Sequence, residues 1–142
     1  MSGAAPLLAI RDLSVAFRGG AIQAVDGVDL AVAEGETLAV VGESGSGKSV
    51  TALAVLRLFA PEDGAVTRGR ILWRGQDLLP MPEPALRHVR GREIAIIFQD
   101  PGASLNPVFP IGRQIAEVLR RHEGLPKAAA MARALGLLRD VG

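Results

Sequence analysis

The sequence predicts an α/β domain that carries an extra antiparallel β-hairpin at its start. Three observations predict it. Residues 8–32 alternate apolar and polar positions around a Gly-Gly turn, as a hairpin does. Beyond them, short runs of β-formers alternate with runs at helical spacing. Between the first such pair stands a glycine-rich stretch, GESGSGKS, from Gly42 to Ser49.

Each element follows from local pattern. Leu8 and Ile10 share one strand face, whereas Leu13, Val15 and Phe17 have the other parity, so the phase slips near Asp12 as at a β-bulge. After RGGA, the residues Ile22, Ala24, Val28, Leu30 and Val32 alternate again, with a bend expected at Asp26-Gly27. EGE makes a turn, and TLAVV, ending at Val41, reads as a strand buried on both sides. KSVTALAVLRLFA is apolar almost all round and predicts a buried helix ended by Pro61 and Gly64. Ile71, Leu72 and Trp73 suggest a further strand. PMPEPALRHVRG is a Pro-rich connection with about one helical turn, and EIAIIF reads as a second buried strand. QDPGASLNPVFP is a Pro-broken loop. Behind Pro110, the residues Ile111, Ile115, Val118 and Leu119 fall at helical spacing, and behind Pro126 so do Met131, Ala134, Leu135 and Leu138.

Composition narrows the function classes. The 142 residues are 49% hydrophobic and 22% charged, as in a globular domain. Lys+Arg number 16 against 15 Asp+Glu, so no basic field argues for nucleic acid. Cysteine is absent, which excludes disulfide scaffolds and thiolate metal sites. MSGAAPLLAIRDL has no basic leader, and Arg11-Asp12 interrupts its apolar run, so neither a secretory signal nor a membrane span is expected. His88 and His122 have no neighbouring ligand set, and Trp73 on a strand reads as core.

Residues 42–49 fit G-x-x-x-x-G-K-[ST] at every specified position. Gly42, Gly45 and Gly47, with Glu43, Ser44 and Ser46 between them, allow the backbone to wrap closely and point consecutive N–H groups inward. A helix opening near Gly47 adds its positive end to the same point. Lys48 brings a full charge to the β- and γ-phosphates, and the Ser49 hydroxyl suits Mg²⁺, which prefers hard oxygen ligands. The plain alternative, a strand-to-helix turn with a chance lysine, needs a coincidence at each fixed position. The expected ligand is a nucleoside triphosphate.

The longer stretch AVDGVDLAVAEGETLAVVGESGSGKSVTALAVLRL resembles the ATP-binding subunits of ABC transporters. IIFQDPGASLNPVFPIGRQIAEVLRRH is similar to that family's Q-loop region, and its QDP..SLNP...IG.QI.E form resembles the dipeptide and oligopeptide importer branch, as does Val50. The resemblance implies a P-loop NTPase core with an N-terminal antiparallel β-subdomain and the start of a helical subdomain. The expected divisions are 6–35 for the β layer, 36–100 for the core to the Q-loop and 101–142 for the helices. It implies that Phe17 stacks on the adenine of ATP and that residues 42–50 bind the nucleotide. Gln99 would act catalytically, touching Mg²⁺ (also held by Ser49) or the attacking water. Pro101 and the SLNP loop would shape a surface meeting the membrane subunit. The implied partners are a second ATP-binding subunit, transmembrane permease subunits and, indirectly, an extracytoplasmic solute-binding protein. The implied place is the cytoplasmic face of the membrane, held there peripherally.

The family's LSGGQ-type signature, Walker B Asp-Glu and later histidine have no counterpart in these residues. Phosphoryl transfer needs more than a phosphate cradle. The expectation is an N-terminal fragment of a longer ATPase, marginally stable and catalytically feeble alone. Two alternatives stand beside it: a nucleotide-binding module without catalysis, and a P-loop kinase or GTPase unconnected with transport. The hairpin before the loop and the FQDP stretch speak against the second, as does the lack of an N-K-x-D motif.

Overall fold

A computed structural model describes residues 5–60, 62–100 and 102–142, with only the backbone at 103. Pro61 and Pro101, given roles above, lie outside the described residues. The chain divides into two compact units, the first ending at Arg87 and the second running from His88 to Gly142.

In the first unit, β1 (Leu8–Phe17) and β2 (Ile22–Val32) form the expected hairpin, joined by a 3-10 turn at Arg18–Gly20. β3 (Gly64–Trp73) pairs antiparallel with the other edge of β1, and the short β4 (Gln76–Asp77) completes the order β2-β1-β3-β4. β3 is longer than the Ile71–Trp73 run read from the sequence, because Arg68, Gly69 and Arg70 break its apolar pattern on paired backbone. The centre of the core is Ile10, Leu13 and Val15 of β1 with Ile71, Leu78 and Leu86, all fully buried. Each such side chain contributes about 1.5–3 kcal/mol of transfer free energy.

The phase slip is a bulge. Register shifts fall between Ile10 and Leu13 against β2 and between Arg11 and Ser14 against β3, and Asp12 has φ 49°. β3 meets this bulge with Gly69 at φ 104°, where a Cβ would lie 2.5 Å from the carbonyl oxygen of Asp12 and 2.6 Å from that of Arg11. Only glycine fits both conditions. Ser14, buried beside the bulge, accepts from the Gly27 N–H at 3.0 Å and donates to Asp26 Oδ1 at 3.4 Å. Outside, Arg68 Nε meets Asp12 Oδ2 at 2.9 Å, an exposed pair that adds little.

α1 (Lys48–Val55) is shorter than the predicted helix, which ran on through residue 60. The Arg57 N–H bonds to the Ala54 carbonyl and the Leu58 N–H to that of Leu53, both at 3.0 Å, with Arg57 at φ 50°. That is a Schellman stop with arginine where glycine usually stands. Arg57 Nη1 donates to the Met81 carbonyl at 2.7 Å, an anchor that helps hold the strained residue in place. All-round burial is also corrected: Ala54 and Val55 are buried, while Ala52 faces solvent.

The two segments read as buried strands are not strands. Residues 37–41 and 95–98 have no ladder, Val41 is 90% exposed and Ile97 92%. Apolar content makes a segment fit to be a buried strand, but only a neighbour accepting its N–H and C=O groups makes it one. Among the described residues neither segment has such a neighbour, apart from a single Arg90–Ile94 bridge.

α2 (Glu83–Val89) spans the boundary between units and makes two turns where about one was expected. In the second unit, α3 (Ile111–Glu123) and α4 (Lys127–Asp140) start at Pro110 and Pro126, as predicted. They pack through Ala116, Leu119, Ala130 and Ala134, flanked by Ile115, Leu125, Met131 and Leu137. Ile111, Val118 and Leu135, which share that helical spacing, are exposed.

Ser14→Ala should lower the unfolding free energy by about 1–3 kcal/mol, since the Gly27 N–H then loses its partner. Urea denaturation measures this, and a change under about 0.5 kcal/mol would show that water replaces the hydroxyl there.

Candidate functional site

The glycine turn lies between residues 37–41 and α1. Gly45 (φ 82°) and Gly47 (φ 87°) both take left-handed backbone, and the Ser46 N–H bonds back to the Glu43 carbonyl at 3.3 Å. Gly47 is the N-cap of α1 and no side chain caps it. The N–H groups of Lys48 and Ser49 then have no intrahelical acceptor, as at any helix start. Here they open on an exposed loop. Gly47 also seats the loop on the sheet: a Cβ there would come 2.6 Å from the Ala24 carbonyl oxygen and 3.1 Å from Val25 Cγ2 of β2.

Lys48 is folded over its own loop. Its Nζ donates to the carbonyls of Gly42 at 2.8 Å and Glu43 at 2.6 Å and to Ser46 Oγ at 3.1 Å. Three acceptors satisfy an ammonium fully. An anion entering the turn meets uncapped amide donors with a lysine charge poised beside them, an arrangement suited to phosphate. Ser49 is exposed in the first turn of α1 and Val50 half-buried after it. The Thr51 hydroxyl is instead committed to the Gly47 carbonyl at 2.9 Å. Among the described residues no three His, Cys, Asp or Glu groups gather as a metal cluster. An exposed hydroxyl beside such a turn fits Mg²⁺, which takes one or two protein ligands and fills its shell with phosphate oxygens and water.

Phe17 ends β1, opposite Gly64 of β3. It is half-buried and lies in the same unit as the glycine turn. Phe59 meets its ring edge-on, with centroids 5.7 Å apart and planes at 71°. Gln99 is exposed on the irregular segment before Asp100, in the second unit. Downstream, Gln114 brackets the SLNP loop: it accepts from the Asn106 N–H at 2.9 Å and donates to the carbonyls of Asn106 (2.9 Å) and Phe109 (2.8 Å). Leu105, Val108 and Phe109 are exposed on that loop, and the Arg113 guanidinium lies 4.7 Å over the Phe109 ring. His88 is exposed, and Trp73 is half-buried with the Arg74 guanidinium 5.5 Å over its ring.

The family model described as ABC transporter matches residues 25–140, and the chain belongs to that family. It is 51% identical over 138 residues to the oligopeptide transport ATP-binding protein of Bacillus subtilis, a match covering 96% of this chain and 38% of that protein. It is 52% identical over 139 residues to the peptidoglycan transport ATP-binding protein of Agrobacterium fabrum, covering 96% of this chain and 26% of that protein. The chain thus spans well under half the length of these curated relatives. Among solved structures, a bacterial Atm1-family ABC exporter with ATP bound superposes with a TM-score of 0.54 at 27% identity, over 82% of this chain and 18% of that one. The antiparallel sheet is accordingly the N-terminal β-subdomain of a P-loop NTPase fold, completed by β3 and β4 from beyond the glycine turn.

Sequence reading missed the contacts of Phe59 with Phe17 and of Gly47 with Ala24. Phe59 stood in a run that looked helical. The contact of Gly47 joins residues far apart in the chain, and only the positive φ expected of a glycine hinted at it.

Gly47→Ala should unfold at clearly lower denaturant than Gly45→Ala, by about 1–3 kcal/mol. Both positions need positive φ, but only residue 47 faces a carbonyl. Equal losses for the two variants would show that seating on Ala24 is unimportant.

Proposed function

We propose that this chain is the ATP-binding part of an ABC importer's motor subunit, and that in the whole protein ATP hydrolysis drives uptake of a solute of the peptide class. The observation that carries the reading is the uncapped start of α1 behind the glycine turn, with Lys48 Nζ resting on the carbonyls that line it. Identity of about one half to transport ATP-binding proteins over nearly the whole chain supports the transport role.

The residues divide the work. Gly42, Glu43, Ser44, Gly45, Ser46 and Gly47 form the arc that surrounds the phosphates, and the N–H groups of Lys48, Ser49 and Val50 continue it into the helix. Lys48 exchanges its loop acceptors for phosphate oxygens, so its charge is satisfied before and after binding. Phe17 offers a flat apolar face to adenine. Ser49 and Gln99 would hold Mg²⁺, which supplies charge neutralisation at the β- and γ-phosphates. Gln99, an amide that donates and accepts without titrating, orients the attacking water.

Along the chain we assign residues 6–35 to the β layer, 36–100 to the phosphate core and Q-loop and 101–142 to the helices that read the membrane partner. The exposed Leu105, Val108 and Phe109 suit that last role. No helix among the described residues is long and apolar enough to cross a membrane. We assign attachment at the cytoplasmic face to permease subunits. A second ATP-binding subunit completes the motor, and an extracytoplasmic binding protein delivers solute.

Lys48→Ala should weaken MgATP binding at least about 10- to 100-fold, read by calorimetry on folded protein. Unchanged affinity would remove the phosphate site. In the whole protein, Gln99→Ala should bind MgATP with nearly unchanged affinity while its hydrolysis falls, read as steady-state phosphate release. Equal hydrolysis by wild type and Gln99→Ala would take that role away.

A further inference from the structure

The base platform has a foundation of its own. Phe17 and Gly64 are cross-strand partners, and a methyl group on Gly64 would lie 2.6 Å from Phe17 Cε1 and 2.7 Å from Cδ1. The ring therefore lies directly against the bare backbone of residue 64. Phe59 meets the same ring edge-on at 5.7 Å, the preferred T-shaped geometry of an aromatic pair. Two contacts from different segments thus fix the ring's orientation. Beside the ring lies a recess of about 680 Å³, lined by Phe17, Leu53 and Phe59 together with the charged Arg18, Glu62 and Asp63. Leu53 belongs to α1, five residues from Lys48, about 7.5 Å along the helix axis. The recess and the phosphate loop are therefore joined by one short rigid element.

We propose that Gly64 and Phe59 are positioning residues for the purine ring of the nucleotide. They hold Phe17 flat toward the base and so set how strongly the chain prefers ATP over a bare triphosphate. This rests on the reading of Phe17 as the stacking residue. Gly64 acts by having no side chain: any Cβ pushes the ring off its seat. Phe59 acts through its T-shaped contact, which limits rotation of the Phe17 ring about χ2.

The test compares two ligands on the chain and its variants by calorimetry, MgATP and magnesium tripolyphosphate. The second carries the phosphates and no base. Gly64→Ala and Phe59→Leu should each lower the preference for MgATP about 3- to 10-fold. Tripolyphosphate affinity should stay within about twofold, and Phe59→Tyr should restore the preference. A merely structural role would weaken both ligands alike, and that result overturns the proposal. So does an unchanged preference in these variants while Phe17→Ala lowers it. If Phe17→Ala itself leaves the preference unchanged, the stacking reading falls and the positioning roles fall with it. Should Gly64→Ala fail to fold, Phe59→Leu decides the question.

Discussion

The backbone amides that open α1 have no acceptor in the helix they begin, and Gly47, the residue before them, offers no side chain to cap them. Most helices relieve this with a serine, threonine or aspartate. Here no side chain relieves them, and the proposed nucleotide would do so from outside. Gly47 is pinned to β2 by its lack of a Cβ, which fixes the helix start against the sheet. Lys48 is turned back over the loop's carbonyls, so its charge is held at the mouth without needing a ligand. The rest of the first unit serves that arrangement. The sheet supplies the seat, and the Arg57 stop ends α1 after eight residues so that the chain can return along β1 as β3.

The same return brings Gly64 against Phe17, and the glycine turn and the aromatic recess lie in one compact unit. In the proposed reading, phosphate contacts supply affinity through charge and stacking supplies discrimination through shape. The two terms are separable because they sit on different elements, the start of α1 and the end of β1. The paired helices α3 and α4 form a different kind of surface, joined through Ala116, Leu119, Ala130 and Ala134, with Ile111, Val118 and Leu135 exposed among charged residues. Such an outer face fits the partner-reading role proposed for this segment.

What could be read from the sequence was what is local. The phase slip at Asp12, the Gly-Gly turn and the two proline-led helices depend on neighbours within a few residues, and each stands where the pattern put it. GESGSGKS was legible for the same reason, since its shape is set by glycines inside it. Residues 37–41 and 95–98 were misread because burial of a strand is a property of its neighbours. The end of α1 was missed because arginine, not glycine, takes the left-handed position, held by the distant Met81 carbonyl. Of the candidate site, the glycine turn leading into α1 was legible. The partners of Phe17 were not, for Phe59 and Gly64 reach it only through the sheet pairing and the early helix stop.

The amide signals of Gly45, Gly47, Lys48 and Ser49, followed by ¹⁵N–¹H NMR as MgATP is added, give the most direct measurement. Amides that bind phosphate should shift together, saturate at one affinity and shift likewise with tripolyphosphate. Saturable nucleotide binding that leaves these four signals in place, while others move, would contradict the claim that the uncapped start of α1 is the phosphate site.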